Sequence, residues 1–197
     1  MNSDILEVNE PDVPGLYYID NVFNDTDETI KALDICTWVP LTNSRNSRLV
    51  QHYGFKYNYT TYQINEPCDP IPPFLIKYRE LLHDICLQLD LINSSYQFNQ
   101  CIVNNYTQGQ GISAHIDVKK YGGVIGCFTI GCGATMIFEK DDVTKEIYVK
   151  PNSLYIMSED ARYIWKHSMV GRKTDIVDNI KMDRGRRISI TFRNVPI

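Results

Sequence analysis

The 197-residue chain contains no Cys-x-x-Cys pair, and of Cys36, Cys68, Cys86, Cys101, Cys127 and Cys132 only the last two lie within ten residues of each other. That excludes a zinc ribbon or a small disulfide-stapled scaffold and favours free thiols in a reducing compartment. No stretch approaches the roughly 20 apolar residues a membrane helix needs. The start, MNSDILEVNEPD, is acidic where a secretory leader would be basic and then apolar. A cytoplasmic or nuclear protein with no membrane partner is expected. At 43% hydrophobic residues the chain is not disordered, and its length suits one domain.

Acid is absent between Ile35 and Asn65, although the formal net charge is −4. Nine acids lie in residues 1–34 against Lys31 alone, which leaves 19 basic and 15 acidic residues from position 35 onward. The global charge therefore does not argue against a polyanionic ligand. Within the acid-free stretch Arg45, Arg48, His52 and Lys56 are interleaved with Tyr53, Phe55, Tyr57, Tyr59 and Tyr62. Cations that track phosphates beside rings that stack on an extruded base describe a nucleotide site. Tyrosines at every second position equally describe a half-buried strand.

Residues 1–14, acidic and with two prolines, read as a flexible tail ahead of a single domain over 15–197. GLYYIDNVF reads as a short strand. A first helix is expected from about Asp25, where Asp25 and Glu28 have capping-box spacing ahead of Ile30, Leu33 and Ile35. Pro72 and Pro73 suit the first turn of a second helix, in which Phe74, Leu75, Tyr78, Leu81, Leu82, Ile85 and Leu89 recur at helical steps. From Tyr96 onward short apolar runs alternate with turns: FNQCIVNNY, GVIGCFTI, GATMIFE, EIYVK, SLYIM, RYIWKH and RRISITFR. TIGCGATMIF has the form of a hairpin. The chain is expected to be mainly β with flanking helices, in a sandwich or barrel.

Histidine is scarce, with four in the chain, and His115 lies two residues before Asp117. On an extended strand these positions share a face, so both side chains can approach one ion. His167 follows 50 residues later, enough chain for a strand to return beside the first. Two histidines and a carboxylate form the facial triad of non-haem Fe(II) oxygenases. Taken singly, His115 is as well read as a strand-edge histidine. Near the end, Arg187, Ser189, Thr191 and Arg193 share one strand face while Ile188, Ile190 and Phe192 share the other. If the arginine face is interior its guanidinium groups need anions, and a small dicarboxylate would supply them.

The ordered set Asn104-Asn105-Tyr106, His115-Ile116-Asp117, His167 and Arg187 through Arg193 resembles the AlkB family of Fe(II)/2-oxoglutarate dioxygenases over roughly residues 48–195. GQGISAHID, RYIWKHSM and RGRRISITFR are most similar to the branch that hydroxylates modified wobble uridines in tRNA. The resemblance implies a double-stranded β-helix, or jelly roll. It implies Fe(II) held by His115, Asp117 and His167, which are also the catalytic residues, with 2-oxoglutarate and O2 as cosubstrates. Arg187 is then expected on the distal carboxylate of 2-oxoglutarate and Arg193 near its chelating end, with Asn104, Tyr106 and Ser189 close by. Ser189 stands where the family prototype has asparagine. Lys119 stands where the tRNA branch has a zinc-binding histidine, and no cysteines follow Arg193, so a structural zinc is not expected.

Arg48, His52, Tyr53, Tyr57 and Trp165 are expected on the substrate side. The expected substrate is a modified or alkylated nucleobase, with RNA, especially tRNA, favoured over DNA. The protein is expected to be a monomer, with RNA affinity supplied by this domain or by a protein partner. Oxidative demethylation of N-alkylated bases and a non-catalytic RNA- or protein-binding jelly roll are the alternatives.

Overall fold

A computed structural model describes residues 7–59, 61 and 63–196. Residues 1–6 of the acidic tail, and Tyr62, lie outside the described residues. In chain order the first elements are β1 (Val8–Asn9), β2 (Leu16–Ile19), α1 (Asp27–Ile35), β3 (Val39–Pro40), β4 (Leu49–Tyr53), β5 (Phe55–Asn58), β6 (Gln63–Pro67) and α2 (Pro73–Gln88). Then come β7 (Gln100–Tyr106), β8 (Ile112–His115), β9 (Ile125–Gly131), β10 (Ala134–Lys140), β11 (Val143–Val149), β12 (Ser153–Met157), α3 (Glu159–Tyr163), β13 (Lys166–Met169), β14 (Thr174–Val177), β15 (Ile180–Asp183) and β16 (Arg187–Arg193).

An eight-stranded antiparallel sheet in the order β1-β2-β12-β9-β16-β7-β4-β3 faces a four-stranded sheet, β11-β10-β13-β8. The chain is mainly β, and its two facing sheets form the jelly roll expected from the sequence. Helix α2 turns Leu75, Tyr78, Leu82, Ile85 and Cys86 onto the outer face of the large sheet. There they meet Val103, Phe128 and the Ile188, Ile190, Phe192 face of β16. Helix and sheet approach so closely that a Cβ on Gly126 would lie 2.3 Å from Leu82 Cδ1. A second apolar cluster, including Leu16, Cys127, Met136, Phe138, Tyr155 and Met157, fills the space between the sheets.

Several local expectations are corrected. TIGCGATMIF is not a hairpin. Strand β9 pairs with β12 and β16 in one sheet, while β10 pairs with β11 and β13 in the other. Gly131, at φ +80°, turns the chain between the two sheets, and a Cβ there would meet the Arg186 carbonyl oxygen at 2.6 Å. A corner of this kind reads like a hairpin because both need glycine. Helix α1 starts at Asp27, with Asp25 Oδ1 accepting the Asp27 amide at 2.8 Å, and Ile35 is exposed rather than part of its core stripe. The first half of RYIWKH is helical, so Arg162 and Tyr163 belong to α3 and only the end of the motif to β13. Near the start, β1 pairs with β2 and Val13 is buried.

The tight fit at Gly126 makes a prediction. Gly126→Ala should destabilise the fold by about 1–3 kcal/mol through overpacking, and by less than half of that in a Leu82→Ala background, as read from urea midpoints. Equal costs in both backgrounds would contradict the contact.

Candidate metal centre

Strand β8 delivers His115 at its last residue, and Asp117 follows two residues on, just beyond the strand. Strand β13 runs antiparallel to β8 and sets His167 opposite His115, with the rings 4.3 Å apart. The chain thus returns beside the first histidine as its 50-residue spacing allows. His115 Nε2 is 3.7 Å from Asp117 Oδ1, and one ligand atom from each of the three residues lies within 4.8 Å of the others. His115 Nδ1 sits 2.8 Å from the Ser113 carbonyl oxygen, a contact that assigns the proton to Nδ1 and leaves Nε2 for a metal. Burial and the adjacent His115 hold His167 down to about 3, so it stays in the neutral form that ligates. Burial pushes the Asp117 carboxyl up, but the Arg193 guanidinium and both imidazoles outweigh it and keep the group well below the usual carboxylate range.

Strand β16 lies between β7 and β9, and Arg187, Ser189, Thr191 and Arg193 are all buried. They line one narrow cavity between the sheets, together with the three candidate ligands and Tyr106, as the alternation of RRISITFR predicts. Arg193 Nε donates to Asp117 Oδ2 at 3.0 Å, which leaves Oδ1 toward the histidines. Arg187 Nη2 donates to Thr129 Oγ1 at 2.9 Å, and its guanidinium lies 5.5 Å from the centre of the Tyr106 ring. Among the described residues no carboxylate pairs with Arg187. Its Nε and the Nη1 of Arg193 are buried without a partner. A guanidinium hidden from water and short of acceptors is suited to an anion entering from the cavity. The donor set of two imidazoles and one carboxylate suits Fe(II), and the unfilled guanidinium nitrogens suit a small dicarboxylate beside it.

Asn104 joins this cavity to a wider one. Its Oδ1 accepts from Arg48 Nε at 2.9 Å, and its Nδ2 donates to Ser189 Oγ at 3.3 Å. The wider cavity has a volume of about 380 Å³ and opens onto His115 and Asp117, with Arg48, Tyr57, Tyr59 and Tyr121 in its walls. Tyr57 meets Tyr59 edge-on at 4.7 Å. His52 stands behind them, its Nε2 3.4 Å from the Tyr59 hydroxyl, and burial together with Lys56 and Arg193 lowers it to about 4. Tyr53, expected beside His52, is on the other face of β4. It packs in the core beneath the helices and donates to Gln51 Oε1 at 2.9 Å. Neighbours on a strand point to opposite faces, so one of the two had to turn away. Trp165 precedes β13, so strand parity does not govern it. The indole is buried in the cluster between the sheets, with its N–H unpartnered.

Tyr59 was legible as one more ring in the alternating run. Tyr121 and Arg162, which shape the loop carrying Asp117, were not marked by any spacing.

The model of the 2OG-Fe(II) oxygenase superfamily matches residues 34–193. Uncharacterized protein L905 of Acanthamoeba polyphaga mimivirus is 42% identical over 71% of this chain and 68% of its own length. The mouse tRNA (carboxymethyluridine(34)-5-O)-methyltransferase ALKBH8 is 27% identical over 92% of this chain, which spans 30% of that protein. The DNA N6-methyl adenine demethylase of Caenorhabditis elegans is 25% identical over 92% of this chain and 60% of its own length. The solved structure of OsALKBH1 superposes with a TM-score of 0.66 over 96% of this chain and 99% of that one at 14% identity, a likeness of fold.

Replacing any one of His115, Asp117 or His167 by alanine should weaken Mn(II) binding by more than the roughly 10–100-fold that follows loss of a residue supporting a ligand. Isothermal titration of the three variants checks this, and wild-type affinity in any of them would exclude that residue from the centre.

Proposed function

The chain belongs to the 2OG-Fe(II) oxygenase superfamily as an AlkB-type dioxygenase using Fe(II) and 2-oxoglutarate, and on that footing we propose that it oxidises a modified nucleobase in RNA, the side chain of a tRNA wobble uridine being favoured. The observation that carries this reading is the wall of the wider cavity. Arg48, Tyr57, Tyr59 and Tyr121 face the candidate centre, and among the described residues the only carboxylate lining that space is Asp117, itself held by Arg193. At about 380 Å³ the space lies near the lower end of the roughly 300–1,000 Å³ common for small-ligand pockets, enough for one base. A base seated against the tyrosines gains about 1–3 kcal/mol from stacking, which offsets its extrusion.

Bound Fe(II), with 2-oxoglutarate and O2, supplies the oxidising chemistry that converts 2-oxoglutarate to succinate and CO2 and inserts oxygen into a substrate C–H bond. The chain's residues do the placing. His115, Asp117 and His167 would hold the metal and Arg187 would take the distal carboxylate of the cosubstrate, while Arg193 fixes Asp117 and keeps a buried nitrogen free for an anion. Tyr106, Asn104 and Ser189 close the cosubstrate side. Arg48 and the tyrosines orient the base, with His52 bracing Tyr59 from behind. The apolar cluster between the sheets, Trp165 included, shields that side of the cavity from water.

RNA is favoured by the similarity to the mouse tRNA-modifying protein over 92% of the chain. The similarity to the nematode DNA demethylase supports a second reading, oxidative removal of an N-methyl group. Residues 15–197 act as one catalytic domain and a monomer, in the cytoplasm or nucleus, with any additional RNA affinity coming from a protein partner. Among the described residues no helix is long and apolar enough to cross a membrane.

Nucleoside mass spectrometry of tRNA treated with wild-type protein or Asp117→Ala separates the readings. Gain of one oxygen on a modified uridine, dependent on Asp117, is the expected result. Loss of a methyl group would favour demethylation, and no change in any nucleoside of tRNA would contradict the tRNA reading.

A further inference from the structure

Among the described residues Arg162 is the largest side chain that is almost wholly buried, at 1% exposure, and it has no carboxylate partner. A charge so placed is strongly unfavourable unless it is hydrogen-bonded. Its guanidinium directs four of its five N–H donors to one short stretch of backbone. Nη1 donates to the Asp117 carbonyl oxygen at 3.0 Å, Nη2 to those of Val118 at 2.8 Å and Tyr121 at 3.3 Å, and Nε to that of Gly122 at 3.2 Å. The Tyr163 ring covers the group, its centre 4.7 Å from Cζ. The backbone so gripped carries Asp117, and it places Val118 and Tyr121 in the wall of the wider cavity.

The other end of Arg162 is equally constrained. It sits in α3, where its amide donates to Ser158 and where the Ile164 and Trp165 amides both donate to the Asp160 carbonyl oxygen. Strand β13 and His167 follow at once. The side chain therefore spans the two segments that supply ligands from opposite directions of the chain. Arg193 fixes the Asp117 side chain, and Arg162 fixes its backbone.

We propose that Arg162 is a positioning residue of the metal centre, clamping residues 117–122 to the turn ahead of His167 so that Asp117 meets both histidines and Tyr121 walls the substrate cavity. A guanidinium is required because its fork reaches four carbonyls in fixed directions. Lysine would bring a single ammonium with three donors at one point. The proposal rests on reading His115, Asp117 and His167 as a metal site, and its test separates the two.

Mn(II) titration of the full chain without 2-oxoglutarate compares wild type, Arg162→Lys, Arg162→Met, Asp117→Ala and Leu82→Ala. Loss of a residue that supports a ligand typically weakens metal binding about 10–100-fold, and that is expected for both Arg162 variants. Leu82→Ala is destabilised on the far side of the large sheet and should bind within about twofold of wild type, as a distant independent site does. Affinity within about twofold of wild type for Arg162→Met, or an equal loss in Leu82→Ala, would overturn the proposal. Wild-type binding no tighter than that of Asp117→Ala would instead remove the metal-site reading beneath it. If neither Arg162 variant folds, hydrogen exchange in the wild-type protein decides. Mn(II) should slow exchange at the Arg162 Nε–H and at the amides of 118–122 together, and unchanged rates there would overturn the clamp.

Discussion

The structure turns on the pairing of Arg193 with Asp117 in the space between the two sheets of the jelly roll. Strand β16 carries two guanidinium groups into the space between the sheets, and among the described residues only one of them meets a carboxylate. Arg193 takes Asp117 Oδ2, which keeps that carboxylate ionised, fixes its rotation and presents Oδ1 to the histidines. Arg187 rests on Thr129 and the face of Tyr106, with a buried nitrogen left over. One arginine therefore orients the candidate metal ligands, and the other keeps a buried donor that suits an anion. A buried cation whose only protein partners are neutral is tolerated where a bound anion completes it.

The fold makes this economical because its ligands come from two directions. Strands β8 and β13 belong to the small sheet and bring the histidines together across a single antiparallel register, while β16 belongs to the large sheet and faces them. Helix α2 packs against the apolar face of β16 from outside, and the arginines stand on the opposite face of that strand. Asn104 then links the narrow cavity on β16 to the wider one lined by tyrosines, through Ser189 on one side and Arg48 on the other. The two cavities thereby share one hydrogen-bonded residue.

The parts legible in advance were those where a period of two could be counted. RRISITFR alternates so regularly that its charged and apolar faces were assigned correctly. His115 and His167 were paired because the intervening chain was long enough for a strand to return. The same rule, neglected, misplaced Tyr53, which cannot share a face with His52. Glycine misled at TIGCGATMIF, since a corner between sheets and a hairpin make the same demand on φ. Arg162 escaped because its partners are carbonyl oxygens, which every residue possesses and no motif records. Tyr121 escaped because it lies in an irregular loop, where neither helical nor strand spacing applies.

The claim at the centre is that two histidines, one carboxylate and a waiting guanidinium together hold Fe(II) and 2-oxoglutarate. Anaerobic addition of both to the protein tests it by visible absorption. The account predicts a charge-transfer band that needs both additions, is lost in Asp117→Ala, and in Arg187→Ala develops only at higher 2-oxoglutarate. Absence of any such band in wild type, or a band that Arg187→Ala leaves at the same 2-oxoglutarate concentration, would contradict it.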